Sequence, residues 1–217
     1  MSTDPERRSE EGFRRLMAFS DAVVAIALTL LVLPLAEIAG DLDEPTTVWQ
    51  VLADHQSAII SFLISFVVIW VLWRNHHRIG EYFNSYDPVF VNLNFVWLLT
   101  IVLLPFATAL IAGDRVERAN VLYIGVLAVS ILTEIAMTWW GSRHRELLED
   151  APDVEAWLQR RHGVGTAVAL VIALIVAIVV PDSGVWPLFL LLLSGPIEGM
   201  LTRFGWRSEA GSSRDQR

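Results

Sequence analysis

Long apolar stretches separated by short polar segments dominate the chain. Six of them approach or exceed the roughly 20 residues that a helix needs to cross a bilayer core. We predict spans at 16–38, 52–73, 87–112, 119–141, 164–181 and 184–202. The pattern indicates an all-α, polytopic membrane protein. Residues 1–217 form one six-span repeat in this prediction, with a short N-terminal segment at 1–14 and a tail at 203–217.

The arginines indicate how the spans are oriented. The chain has 16 basic residues, all of them arginine. Arg115 and Arg118 fall on one predicted side, and the other 14 fall in loops and termini on the opposite side. Positive residues favour the cytoplasmic side of a membrane. This asymmetry predicts an even number of spans and places both termini in the cytoplasm.

Composition narrows the function classes. The chain is 54% hydrophobic and 18% charged, has a mean hydropathy of +0.49 and has no cysteine, which excludes disulfides and thiolate chemistry. It contains no Walker loop, GxSxG or HExxH motif. The adjacent His76 and His77 cannot share a helix face. We expect no enzyme, resident metal, cofactor or nucleic-acid partner, which leaves a channel, a transporter or a structural membrane protein.

The first span has two distinct faces. At 100° per residue, Ile26, Leu30 and Leu33 share one face, and Thr29 lies about 60° to its side. Ser20 and Asp21 each point about 120–140° away from Ile26. The apolar stripe also suits a lipid-facing or packing surface, and the polar pair also suits a helix cap. An aspartate this close to a long uncharged run, however, usually has a partner.

The stretch Arg15-Leu-Met-Ala-Phe19-Ser20-Asp21, followed by "AVVAIALTLLVLPL", resembles the RxxxFSD signature of the transmembrane protein 175 family of potassium channels. The resemblance implies a channel of the prokaryotic plasma membrane that conducts potassium passively and assembles as a homotetramer surrounded by lipid. In that family the first helix lines a central pore. The resemblance assigns the pore constriction to Ile26, Leu30 and Leu33 and a role in potassium preference to Thr29.

The polar residues of the signature are then expected to brace the pore helix rather than to contact ions. Candidate partners of Ser20 and Asp21 are Trp73, His76 or His77 in the second span and Asn92 or Asn94 in the third. Arg15 is compatible with either the brace or the cytoplasmic mouth of the pore. The predicted signature and bracing set is Arg15, Phe19, Ser20, Asp21, Trp73, His76, His77 and Asn94.

Three further features keep alternatives open. A serine row, Ser57, Ser61 and Ser65, suits close helix packing. Glu134, deep in the fourth span, is equally compatible with a functional role and with a hydrogen bond to another span. The polar segment 142–162 is predicted to be a solvated connector, with an interfacial helix as the alternative.

Two other functions compete with the potassium channel. Asp21, Glu134 and His76 or His77 could serve a proton channel or a proton-coupled transporter, which would show coupling to pH. A membrane scaffold would show no transport at all.

Overall fold

The computed structural model describes residues 10–40, 47–113, 117–149 and 154. Within these ranges the chain is helical, and four helical stretches are long and apolar enough to cross a membrane. They correspond to the first four predicted spans. The predicted spans at 164–181 and 184–202, the tail at 203–217 and most of the N-terminal segment lie outside the described residues.

Six α-helices and one 3₁₀ turn make up the described fold. The helices are α1 (Glu10–Leu30), α2 (Leu33–Gly40), α3 (Val48–Asp54), α4 (Gln56–Gly80), α5 (Pro88–Ala112) and α6 (Ala119–Arg143), and the turn follows at Arg145–Leu147. Asp87 starts α5 by accepting a hydrogen bond from the Phe90 amide at 2.8 Å, with Pro88 at the first helical position.

The first predicted span is interrupted near its far end. The stretch Glu10–Ile38 is a candidate crossing, but α1 ends at Leu30 and α2 begins at Leu33. Pro34 has no N–H to donate to the carbonyl of Leu30, and its ring disfavours a straight helix through that position. The apolar pattern alone predicted one continuous helix, because proline does not lower the hydrophobicity of the stretch.

The second predicted span is misplaced at both ends. We predicted 52–73, whereas α4 covers Gln56–Gly80. The apolar run stops at Arg74, but arginine, asparagine and histidine do not break a helix, so α4 continues for almost two further turns. Arg74 and Arg78 therefore lie on a helix and not in a loop.

One end of the bundle collects most of the described arginines. We call it the basic end: α1 and α5 begin there, α4 and α6 end there, and it carries Arg14, Arg15, Arg78, Arg143 and Arg145. Phe13 of α1 packs there against Phe83 and Phe90, with ring centroids 6.3 and 5.6 Å apart. The start of α1 is therefore anchored to the loop between α4 and α5.

The segment after α6 folds back onto that same loop. The Glu149 amide donates to the Tyr82 carbonyl at 2.9 Å, and the Asn84 amide donates to the Leu147 carbonyl at 3.1 Å. Leu147 and Leu148 are buried. The prediction of a purely solvated connector at 142–162 is wrong for these residues, because paired backbone and apolar contacts hold them against the bundle. Trp157 and Leu158 lie outside the described residues.

Small polar residues lie where α4 approaches α5. Ser61 and Ser65 are buried, and Thr108 donates to the Ser65 hydroxyl at 2.8 Å. Ser57, the first member of the predicted row, is exposed. Two of the three serines thus lie in the helix interface, and Ser65 also joins the two helices by a hydrogen bond.

Candidate pore helix and its polar brace

The α1 helix is divided lengthwise into a buried face and an exposed one. Its buried residues are Phe13, Ser20, Val24 and Ala27. On the opposite face, Phe19 is 59% exposed, Ile26 60% and Leu30 39%, and Leu33 at the start of α2 continues the row at 51%. This exposed row of large apolar side chains, Phe19, Ile26, Leu30 and Leu33, is called the apolar stripe below.

Thr29 lies beside the apolar stripe and is exposed. Its hydroxyl donates to the Ile26 carbonyl at 2.7 Å. Because the hydroxyl has one proton, the oxygen keeps only its lone-pair capacity for other partners. Thr29 can therefore accept a hydrogen bond or contact a cation without giving up its bond to the helix.

Ser20 is completely buried and is tied to two other helices. Its hydroxyl donates to the Leu16 carbonyl at 3.0 Å and accepts from the Asn94 amide at the same distance. The Asn94 carbonyl oxygen in turn accepts from Nε2 of His76 at 2.8 Å. Ser20 of α1, Asn94 of α5 and His76 of α4 thus form one buried hydrogen-bonded group, which we call the polar brace.

Asp21 makes a separate contact with α4. Its Oδ1 accepts from the Trp73 indole at 2.8 Å and lies 3.9 Å from Nδ1 of His77. The Trp73 and His77 rings lie 5.4 Å apart, so the two side chains form one wall beside the carboxylate. The side chain of Asp21 is 39% exposed, so water reaches it from the open side.

The signature residues therefore separate into two groups. Ser20 and Asp21 contact the bundle, whereas Arg15 and Phe19 are exposed on the same side of α1 as Ile26. Among the described residues neither Arg15 nor Phe19 hydrogen-bonds to the brace. Asn92, an alternative partner to Asn94, is exposed.

One member of this region was not identified from the sequence. Trp97 of α5 is fully buried and stacks on His76, with ring centroids 3.7 Å apart and planes 10° from parallel. Its indole donates to Oε1 of Glu134 at 3.1 Å. A tryptophan inside an apolar run carries no pattern that distinguishes a stacking partner from ordinary core. Of the two roles left open for Glu134, the hydrogen bond to another span is present.

The described residues contain no group of three or more His, Cys, Asp or Glu side chains that could hold a metal ion. What the region offers chemically is an apolar surface, a hydroxyl oxygen at its side and polar contacts behind it. These are features of a helix positioned within a membrane bundle.

The fold and this helix define the class: a multi-pass, all-helical membrane protein whose first helix presents an apolar face away from its own bundle. Residues 15–105 match the sequence profile of a family described as "Endosomal/lysosomal potassium channel TMEM175". The matched region contains the whole signature stretch, α1 from Arg15 onward and the residues that contact Ser20 and Asp21 directly or through Asn94, which are Trp73, His76, His77 and Asn94.

Curated relatives give the same result. A potassium channel of Streptomyces collinus is 30% identical over 130 residues, 58% of this chain and 62% of the relative. A potassium channel of Chamaesiphon minutus is 37% identical over 133 residues, 59% and 64% of the two chains. The endosomal/lysosomal proton channel TMEM175 of Mus musculus is 31% identical over 109 residues, 48% and 21%. The aligned region thus spans less than two thirds of each of these relatives.

Solved structures share the fold over most of the chain. The crystal structure of a lysosomal potassium-selective channel TMEM175 homolog from Chamaesiphon minutus has a TM-score of 0.67 and 25% identity, covering 87% of this chain and 98% of the other. A variant of the potassium channel MtTMEM175 has a TM-score of 0.58 at 20% identity, covering 89% and 93%, and supports the fold alone. The resemblance seen in the signature is confirmed: residues 15–105 match the TMEM175 family profile, and the chain is similar to prokaryotic potassium channels and to a solved TMEM175 homolog.

Proposed function

We propose that the protein is a potassium channel in which four copies surround a central pore lined by α1. The observation that carries this proposal is the division of α1: its apolar stripe is exposed on the subunit, while Ser20 and Asp21 hold the other side against the bundle. A helix fixed in this way presents Ile26, Leu30 and Leu33 to a shared axis. The relatives named as potassium channels support the choice of ion.

The narrowest point of the proposed pore is a ring of four Ile26 side chains. Such a ring offers no ligand, and water withdraws easily from a hydrophobic constriction. An ion must shed part of its hydration shell to pass. Potassium holds its shell less tightly than sodium, so the ring favours potassium with a modest preference.

Thr29 supplies a polar surface one helical turn beyond Ile26. Its proton is committed to the Ile26 carbonyl, so the oxygen faces its surroundings as an acceptor. Four such oxygens around the axis would replace part of the water lost by a potassium ion. This would add to the preference set by the isoleucine ring without any resident cofactor or metal.

The assembly in this proposal is a homotetramer of six-span subunits in the prokaryotic plasma membrane, with both termini in the cytoplasm. One copy cannot enclose an axis with a single helix, which is why several are required. The arginine asymmetry supports the orientation, with the basic end facing the cytoplasm. Mass measurement in detergent should give four copies, and a stable monomer would contradict the pore.

Flux from proteoliposomes of the purified chain tests the function. Under a potassium gradient we expect passive flux that depends linearly on the gradient, and under an equal sodium gradient a smaller flux. Empty liposomes are the control. Absence of flux for both ions would exclude a channel and favour the scaffold.

Proton conduction is the second candidate, and one observation favours it. Asp21 lies beside His77 and is open to water on one side, so a titratable pair borders the proposed pore helix. The animal relatives are named as proton channels. Trapping a pH-sensitive dye in the same liposomes distinguishes the two functions: a proton channel acidifies the lumen under a pH gradient, and a channel restricted to potassium does not.

A further inference from the structure

Glu134 is the only buried acidic side chain in the described part of the chain. It lies near the middle of α6 and accepts from the Trp97 indole at 3.1 Å. A carboxyl group at membrane depth is costly unless it is paired, so its presence calls for a specific role.

The contacts of Trp97 continue from Glu134 toward the pore helix. The Trp97 ring lies nearly parallel to the His76 ring, with centroids 3.7 Å apart. His76 donates to the Asn94 carbonyl oxygen at 2.8 Å, and Asn94 donates to Ser20 at 3.0 Å. A continuous series of contacts therefore runs from α6 through α5 and α4 to α1.

Each contact in this series restricts the next. The bond to Glu134 fixes the rotation of the indole about its own side chain, because only one edge of the indole carries the N–H. The fixed indole gives His76 one flat surface to stack on, and the plane of the imidazole decides where Nε2 points. If the indole turned, Nε2 would leave the plane in which it reaches Asn94.

We propose that Glu134 is a positioning residue for the pore helix. It acts through Trp97 and His76 on Asn94 and Ser20, and so sets the rotation of α1 that exposes Ile26 and buries Ala27. The inference rests on the proposed function only where it says that this rotation directs Ile26 to the pore. The rotation of α1 itself is a property of the subunit and can be measured without any ion flux.

The absence of native cysteines makes the rotation of α1 measurable. Ile26→Cys and Ala27→Cys place a thiol on the exposed and buried faces of adjacent positions, since Ile26 is 60% and Ala27 1% exposed. In detergent micelles, a thiol reagent small enough to enter the proposed pore should modify the first at least about tenfold faster than the second, because reaction of a buried thiol requires local opening. This ratio of rates reports the rotation.

Two variants break the series at its beginning. Glu134→Leu removes the acceptor and Trp97→Phe removes the donor while keeping an aromatic surface. In both, we expect the ratio of rates to fall to about threefold or less as α1 loses its fixed rotation. Glu134→Gln, which retains an acceptor oxygen, should keep the ratio close to that of the parent. Measuring two variants keeps the test valid if one of them fails to fold.

Thr133→Ala is the matched control on the same helix. Thr133 is buried beside Glu134, but within the described ranges its hydroxyl bonds only to the Val129 carbonyl of its own helix. It should lower stability without changing the ratio. An unchanged ratio in both Glu134→Leu and Trp97→Phe, or an equal fall in Thr133→Ala, would overturn the proposal. A fall in the ratio in a protein that conducts no potassium would keep the positioning role and reject the channel.

Discussion

Asn94→Ala is predicted to weaken the attachment of α1 to the bundle more than any comparable change on α5. The side chain of Asn94 donates to Ser20 and accepts from His76, and all three residues are buried. Its removal leaves the imidazole N–H without its acceptor. Ser20 keeps its bond to the Leu16 carbonyl, so its loss is partial.

The expected magnitude follows from these two bonds. Interhelical hydrogen bonds in membranes contribute about 0.6 kcal/mol on average and up to about 1.7 kcal/mol each. Loss of both therefore predicts a decrease of about 1–3 kcal/mol in the free energy of unfolding. A buried polar group left without a partner costs about 1–3 kcal/mol, which agrees with that range.

The assay is equilibrium unfolding in mixed micelles, followed by loss of helical circular dichroism. Asn92→Ala is the matched control, because Asn92 lies two residues away on the same helix and is exposed. It should change the free energy of unfolding by less than about 0.5 kcal/mol, as is usual for surface positions. Equal effects of the two substitutions would show that the polar brace contributes nothing specific and would refute the reasoning.

Two further predictions follow from contacts elsewhere. Gly141→Ala should destabilise the protein by about 1–3 kcal/mol in the same assay, because a Cβ there would lie 2.5 Å from the Phe83 ring. Gly125→Ala, with nothing within 4 Å of the new Cβ, should be neutral or stabilising; equal losses would contradict the packing argument. Thr29→Val should leave stability unchanged and lower the potassium-to-sodium permeability ratio by about two- to fivefold, as expected for a weakened polar contact. If reversal potentials give an unchanged potassium-to-sodium permeability ratio, Thr29 does not contact the permeating ion.

The sequence predicted the parts of this molecule that depend on hydrophobicity and helical geometry. Four of the predicted spans are present in the described residues. A long apolar segment in a membrane must satisfy its backbone hydrogen bonds internally, and a helix does this within one segment. The different directions of Ile26 and Ser20 around the helix follow from the helix period alone. Helix ends were less predictable: α4 continues to Gly80 because polar residues that leave the apolar run can still be helical.

Contacts between helices could be predicted only in part. The helical wheel shows that Ser20 points away from the apolar stripe, but not which of two asparagines on α5 faces it. That choice depends on how α5 is rotated, which is set by packing of residues such as Trp97 and Ile101. The pairing of Trp97 with Glu134 depends on how far α5 and α6 are shifted along their axes relative to each other. No local sequence pattern indicates that shift. The break near Pro34 could have been predicted from proline chemistry.

The central claim is that Ile26 forms the constriction, and the reversal potential of Ile26→Asn tests it most directly. With potassium on one side of the membrane and sodium on the other, the parent protein should show a reversal potential that favours potassium. Asparagine at position 26 should keep water in the ring and supply ligands, so that sodium passes almost as easily and the reversal potential moves close to zero. Leu28→Asn, partly buried on another face of α1, should damage packing and not selectivity. An unchanged reversal potential in Ile26→Asn, or an equal shift in Leu28→Asn, would contradict a pore lined by the apolar stripe.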